Sequence, residues 1–336
     1  MKAISSAIHT VKAFSLIEEN DSVLLAVSGG PDSVALLHLF LFLRQNIFPG
    51  IEIAIAHYDH KQRRDSAEDA KFVEILAKEL SVPFFKDELK DNLFATNQRQ
   101  GKESLLRDRR YEFLLRIARE YGFNKIALGH NMDDQAETFL FRLIRGSGLQ
   151  GLGAMSLKSK RGDVFLIRPL LFSKKNEILD FLRQHNIVFR QDGSNCDTTF
   201  ARNKIRLELL PLMEKGYNNR IKEHLVFLSE MASIDYDFLE ASACEIFFDM
   251  SLCLSPYRIV FKYGRFADLH PSMQRMVFRL AYKYLAGEKK GLEFRHWKEF
   301  EEFLEGKPEG AILDLPKDVS VVKKKNIMEF FIRSRI

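Results

Sequence analysis

Two short stretches of this chain gather residue types that handle phosphate, metal and protons. The first is Ser28-Gly29-Gly30-Pro31-Asp32-Ser33. It follows the aliphatic run Val23–Val27 and opens an apolar segment from Val34 to Leu43, a pattern that predicts strand, glycine turn and helix. Two glycines let the chain turn tightly and let backbone N–H groups face a ligand. Pro31 suits the first helical position because it has no N–H to leave unpaired. A helix N-terminus flanked by the Ser28 and Ser33 hydroxyls is an anion site, and phosphate is the anion it fits best. Asp32 is the exception there, since a carboxylate beside phosphate repels it unless Mg²⁺ lies between them. Neither a Walker lysine nor a G-x-G-x-x-G turn follows the strand. Read alone, the hexapeptide also fits an ordinary glycine turn with an acidic first helical turn.

The second stretch is His130-Asn131-Met132-Asp133-Asp134-Gln135-Ala136-Glu137-Thr138. On a helix starting near Asn131, the side chains of His130, Asp134 and Glu137 share one face and Asp133 points off it. A histidine with two carboxylates can bind a metal, steer an ammonium group or move a proton. The bland alternative is an acidic helix start that satisfies the dipole. Arg202 and Arg206, four apart in Ala201-Arg202-Asn203-Lys204-Ile205-Arg206, form a cationic edge suited to phosphates or simply to solvent. Arg142 to Leu152 mixes arginines with three glycines, which permits a mobile loop whose backbone approaches a substrate.

These residues need a scaffold, and the surrounding pattern supplies one. Further strands are expected at Ile51–Ala56, Val82–Lys86, Lys125–Leu128 and Val164–Ile167. Helices are expected at Ser66 to about Leu80, Glu103–Tyr121, Asp133–Arg145 and Lys174–His185. Such alternation predicts an α/β fold with a doubly wound, parallel five-stranded sheet. Ligands of such sheets sit at the carboxyl ends of strands, where the glycine turn, His57, His60 and His130 all fall. Beyond Pro211 and Gly216 the pattern turns helical (Ile221–Phe248, Ser272–Leu285, Glu293–Leu304). It closes with strands at Ala311–Leu315 and Val319–Phe331 around the turn Lys323–Asn326. The expected domains are 1–215 and a smaller α+β domain, 216–336.

Composition agrees with a folded chain of two domains: 336 residues, 46% of them hydrophobic. A net charge of +5 permits a nucleic-acid partner without demanding one. Cys196, Cys244 and Cys253 are widely separated, which argues against a zinc site, an iron–sulfur cluster or a disulfide framework and fits a reducing cytoplasm. The N-terminal apolar positions Ile4, Ile8, Val11, Phe14 and Ile17 describe an amphipathic helix, not a signal peptide, and no apolar stretch is long enough to span a membrane.

The ordered set S-G-G-P-D-S, G-H-N-M-D-D-Q-A-E-T, R-G-S-G-L-Q-G-L, R-P-L-L, D-G-S-N and R-N-K-I-R resembles the tRNA(Ile)-lysidine synthetase family of pyrophosphate-loop ATP pyrophosphatases. The match runs from about Val23 to Leu210. The resemblance implies an adenine nucleotide alpha hydrolase-like sheet and a two-step ligation. O2 of the wobble cytidine in a CAU-anticodon tRNA(Ile) attacks the α-phosphate of ATP, and free L-lysine then displaces AMP at C2 to give lysidine. It further implies that Ser28, Gly29, Gly30, Pro31, Asp32 and Ser33 hold the ATP phosphates, with Asp32 on Mg²⁺. His130 and Asp134 sit at the reacting centre, and Asp134 with Glu137 receives the lysine ammonium. Arg107 and Arg110, in a segment similar to the family's E-x-x-A-R-x-x-R-Y helix, neutralise phosphate charge. Arg202 and Arg206 serve nucleotide or tRNA. Two departures stand out: Leu106 replaces a small residue, and the His60-Lys61-Gln62-Arg63 run lacks a leucine, which leaves His57, His60 and Arg63 without assigned roles. A tRNA cytidine thiolase and a non-catalytic nucleotide- or RNA-binding module are the competing readings, and a homodimer stays open.

Overall fold

The computed structural model describes residues 2–61, 66–89, 99–190, 201–287 and 292–335. Arg63, Asp192–Asn195 and Cys196 lie outside the described residues.

A six-stranded sheet carries the first compact unit, Met1–Ser233. Its strands are β1 (Ser22–Ala26), β2 (Glu52–Asp59), β3 (Phe84–Glu88), β4 (Lys125–Leu128), β5 (Lys158–Arg161) and β6 (Val164–Ile167), in spatial order β3-β2-β1-β4-β6-β5. The first five in that order run parallel, as expected from the sequence. The sixth, β5, is an antiparallel edge strand returning on β6 through Gly162 (φ 66°), and the sequence pattern missed it.

Successive strand residues feed opposite faces. Val23, Leu25 and Val27 bury with Ile53, Ile55, Ala127 and Ile167 on one side. Leu24 buries with Ala54, Ala56, Ile126 and Leu166 on the other. The first face is covered by α1 (Lys2–Ala13), α2 (Pro31–Asn46), α3 (Ser66–Glu79) and α7 (Lys175–Gln184); the second is covered by α4 (Arg99–Glu120). Both faces are therefore dry, which explains why the strands read as continuous aliphatic runs. In α1 the residues Ile4 and Val11 bury as the spacing predicts, but the helix ends at Ala13 and Phe14 is exposed.

The strand order reverses between β1 and β4, so their carboxyl ends leave a crevice. After β1 the chain turns through Gly29 (φ 91°) into α2, with Pro31 at its first turn. After β4 it passes Gly129 into α5 (Met132–Ile144). A Cβ on Gly129 would lie 3.2 Å from the backbone carbonyl of Asp32 and from the Ser33 nitrogen. Glycine at 129 is what lets the two loops touch.

The segment after α5 forms a short helix, α6 (Leu149–Leu152), and is pinned rather than loose. Arg142 donates to the carbonyls of Gly151 and Ala154 at 2.9 and 2.7 Å. The buried Gln135 amide donates to the Met155 carbonyl and the Ser229 hydroxyl and accepts from the Met155 N–H, each at 3.0 Å.

Pro211 does not end the domain. It sits in a continuous helical run made of α8 (Ala201–Lys204), a π-helical turn (Ile205–Leu209) and α9 (Leu210–Gly216). In that wide turn the Leu210 N–H reaches the Ile205 carbonyl. A proline ring clashes with the carbonyl four residues back, and the extra width just before Pro211 relieves this. Helix α10 (Ile221–Met250) follows, and the division between the two units falls inside it, at Ser233/Ile234. Its first turns belong to the first unit because Leu225 buries with Ala136 and Ile205.

The second unit, Ile234–Ile336, contains β7 (Ser251–Ser255), β8 (Arg258–Lys262), α11 (Tyr263–Ala267), α12 (Pro271–Ala286), α13 (Phe294–Gly306), β9 (Ile312–Asp314), β10 (Val319–Lys323) and β11 (Ile327–Ile332). The strands form an antiparallel sheet ordered β7-β8-β11-β10-β9. Phe261, Phe278, Phe300 and Phe330 fill its core, with Phe278 stacked on Phe300 at 4.4 Å. The expected turn at Lys323–Asn326 joins β10 to β11, whereas the β7–β8 hairpin went unread.

Candidate active site

The crevice between β1 and β4 opens into a cavity of about 780 Å³. One wall is the glycine turn. The Ser28 N–H donates to Ser33 Oγ (3.1 Å), and Ser33 Oγ donates to the Gly30 carbonyl (2.8 Å), so the Ser33 hydroxyl closes the loop while Ser28 stays exposed. Gly30, Pro31 and Asp32 line the cavity beside the N-terminus of α2; Gly29 does not. One Asp32 oxygen accepts from Asn131 Nδ2 at 3.0 Å, and the other is paired with the Lys175 ammonium.

Facing this wall is the start of α5, held by a reciprocal cap. The Asp134 N–H donates to Asn131 Oδ1 and the Asn131 N–H donates to Asp134 Oδ2, both at 3.1 Å. His130, Asp134 and Glu137 all line the cavity, as the helical spacing predicts. Asp133, which the spacing put off that face, lines the cavity as well and pairs with Lys222 at 2.8 Å. Burial first, and then the Glu137 charge, push the Asp134 carboxyl up to about 6. Glu137 is only 1% exposed and lies under two guanidinium groups. Arg206 reaches it through Nε at 2.5 Å and Nη2 at 2.9 Å, and Arg202 through Nε at 3.3 Å. Arg206 also touches Asp134 at 3.1 Å. The cationic edge that the sequence offered to phosphate is thus turned on the helix acids, which leaves Asp134 as the more accessible carboxylate.

A cluster of positive charge surrounds His130. Burial, and then Arg168, Arg110, Arg202 and Arg107, hold its imidazole well below its ordinary range, so it is neutral at pH 7. Its buried Nδ1 has no hydrogen-bond partner among the described residues, and the same holds for Nε of Arg110. Arg110 lines the cavity, with its guanidinium 5.7 Å from the Tyr111 ring. Arg107 is exposed, with its guanidinium 5.6 Å from the same ring, and neither it nor Arg202 lines the cavity. Burial would raise the Tyr111 phenol, but the Arg168, Arg110 and Arg107 charges outweigh it and lower the phenol.

The remaining wall is apolar: Ala26, Ala56, Tyr58, Leu114 and Leu128 offer a flat base somewhere to lie. His60 packs edge-on to Tyr58 at 5.0 Å, and burial followed by the Arg110 charge takes it down to about 4. His57 is a strut, its Nδ1 2.9 Å from the Val27 carbonyl.

No three His, Cys, Asp or Glu side chains converge to hold a metal among the described residues. One carboxylate beside a phosphate cradle instead suits Mg²⁺ held mainly by nucleotide oxygens, the usual mode for this ion. Lys175 is a site residue that the sequence reading did not single out, and Asn131 stood in one of its motifs without a role of its own. Lys174-Lys175 did carry a signal, because two cations opening a helix oppose its dipole.

The PP-loop domain family matches residues 3–213. A tRNA(Ile)-lysidine synthase of Clostridioides difficile is 32% identical over 95% of this chain and 68% of its own length. One of Caldanaerobacter subterraneus subsp. tengcongensis is 32% identical over 96% and 68%. Among solved structures, the U34-tRNA thiolase NcsA from Methanococcus maripaludis shares the fold, with TM-score 0.57 and 17% identity over 68% of this chain and 77% of its own. Family model, relatives and crevice agree: the chain belongs to the tRNA(Ile)-lysidine synthase family of PP-loop proteins.

Proposed function

We propose that this protein uses ATP to ligate free L-lysine to C2 of the wobble cytidine of a CAU-anticodon tRNA(Ile), giving lysidine, AMP and pyrophosphate. The observation that carries the reading is one cavity with a phosphate-binding turn and Asp32 on one wall and Asp134 on the other. The adenine lies against Ala56, Tyr58 and Leu114, and the phosphates meet Ser28, Gly30 and the N-terminus of α2. Mg²⁺, held by Asp32 and the phosphate oxygens, would neutralise charge on the departing pyrophosphate. In the first step the cytidine O2–P bond forms as the bond to the β-phosphate oxygen breaks. Arg110, with an uncommitted buried Nε, takes up the charge that develops.

In the second step the lysine ε-amine attacks C2, and AMP leaves with the C2–O2 bond electrons. The amine must first lose a proton, and we assign its acceptance to Asp134, which lines the cavity. An ammonium normally titrates near about 10.4, well above this carboxyl. The gap narrows because burial lifts Asp134, and the same desolvation lowers an ammonium brought into the cavity. His130, being neutral, orients the nucleobase without adding a further charge.

The wobble base is taken as a single-stranded, flipped nucleotide. The second unit contributes tRNA backbone contacts, although Lys323 and Lys324 of its basic turn are committed to the Leu304 carbonyl and Glu329 and leave Lys325 for that role. No helix is long and apolar enough to cross a membrane among the described residues. The site of action we assign is the cytoplasm, where tRNA and free lysine meet.

The test is incubation with ATP, radiolabelled lysine and a CAU-anticodon tRNA transcript. Label enters the RNA with release of pyrophosphate. No incorporation, or sulfide replacing lysine as the group transferred, would overturn the reading.

A further inference from the structure

Among the described residues, the Lys175 ammonium and the Asp32 carboxylate form the ion pair at the mouth of the phosphate turn. Two features separate it from a structural pair. Lys125 and Asp21, at the opposite ends of the strands, are 4% and 7% exposed, and Asp21 is further bound by Asn124. Lys175 and Asp32 are 33% and 24% exposed, so water and a ligand can reach both. Lys175 is also the first residue of α7, where a cation opposes the helix dipole. Its backbone N–H is held by Asp133 Oδ2 at 3.3 Å, so the main chain is anchored independently of the side-chain ion pair. The neighbouring ammonium groups are engaged elsewhere: Lys174 on Glu223 at 2.6 Å and Lys222 on Asp133 at 2.8 Å.

The Asp32 oxygens are taken by Asn131 and Lys175, so a divalent cation and the ammonium compete for one carboxylate. An ammonium displaced from it is still beside the N-terminus of α2, where nucleotide phosphates carry the largest negative charge in the site. We propose that Lys175 is an exchangeable cation of the nucleotide site, neutralising Asp32 until a divalent ion takes the carboxylate and then moving onto the phosphate oxygens. The inference rests on the nucleotide-site reading above. It makes Lys175 a residue that discourages metal binding without nucleotide and favours metal binding with it.

Removing the ammonium must therefore move two affinities in opposite directions, which a merely structural lysine would not do. The probes are Mn²⁺ alone, followed by electron paramagnetic resonance, and Mn²⁺ with α,β-methylene ATP, followed by calorimetry, with thermal unfolding as the check on folding. In Lys175→Met, Mn²⁺ alone binds roughly fivefold tighter and the Mn²⁺–analogue complex roughly tenfold weaker, changes typical of one partly exposed charge contact. Lys175→Gln shows the same two signs, so the result does not depend on one variant folding. The double variant Asp32→Asn/Lys175→Met loses the gain in Mn²⁺ binding. Unchanged or weaker Mn²⁺ binding in both single variants, or unchanged analogue binding, overturns the role of Lys175. Analogue binding that is insensitive to Asp32→Asn overturns the nucleotide-site reading itself.

Discussion

Asp134→Asn separates the cost of holding a buried base from its use. The carboxyl is raised from 3.8 to about 6, so the folded protein binds its proton more tightly than the unfolded chain does. Between these two values stability therefore rises as pH falls, and above about 6 the ionised group is a standing cost. At about 1.4 kcal/mol per pH unit, the cost is about 3 kcal/mol at pH 7, about 1.6 at pH 5 and about 0.6 at pH 4. Asparagine resembles the protonated acid, can still accept from the cap N–H, and never ionises. The variant is expected to be more stable than the parent by up to about 3 kcal/mol at pH 7, with the gain shrinking towards zero by pH 4. Urea unfolding at pH 7, 5 and 4 measures this directly. Lysine incorporation should fall by about 10²–10⁴-fold, the usual worth of a positioned base. A variant that is less stable at pH 7, or a gain that does not depend on pH, would refute the claim that burial lifts this carboxyl.

Other expectations follow from the same structure. Gly129→Ala brings a Cβ to 3.2 Å from the Asp32 carbonyl and pries the two loops apart; the KM for ATP in pyrophosphate exchange should rise roughly tenfold, about 1.4 kcal/mol, while the lysine KM holds. Lys125→Met leaves Asp21 buried without its ammonium, so unfolding should become easier by about 3 kcal/mol with unchanged kcat for the folded enzyme. In the parent enzyme, lysine incorporation under single-turnover conditions should decline tenfold per pH unit below about 6, and Asp134→Asn should flatten that limb. Affinity for tRNA should fall linearly with log salt, because phosphate contacts release counterions; a flat response between low and moderate salt would remove the backbone contacts assigned to the second unit.

The parts of the site that were legible in the sequence are those set by local spacing. The turn at Ser28–Ser33 and the face shared by His130, Asp134 and Glu137 depend on residues within a few positions of each other. Partners across the fold were not legible. Arg202 and Arg206 read correctly as one edge, but what they face, Glu137, is 65 to 69 positions away. Lys175 and Asp32 are separated by 143. Strand β5, Lys-Ser-Lys-Arg, carries no apolar signal because it is a half-exposed edge. In β8, Ile259, Val260 and Phe261 are all buried, so the alternation that marks a two-faced strand is missing. Pro211 read as a domain break because a proline inside a helix normally is one.

That proline has a reach beyond its own turn. With no N–H to give and a ring that needs room, it obliges the backbone ahead of it to bulge, and the bulge carries Arg206. The guanidinium that pairs with Glu137 and Asp134 is therefore aimed by a residue that touches neither. Swapping the ring for an ordinary side chain would let the coil tighten and rotate the arginine, so the two carboxylates would lose their shared partner through a change at a site with no charge in it.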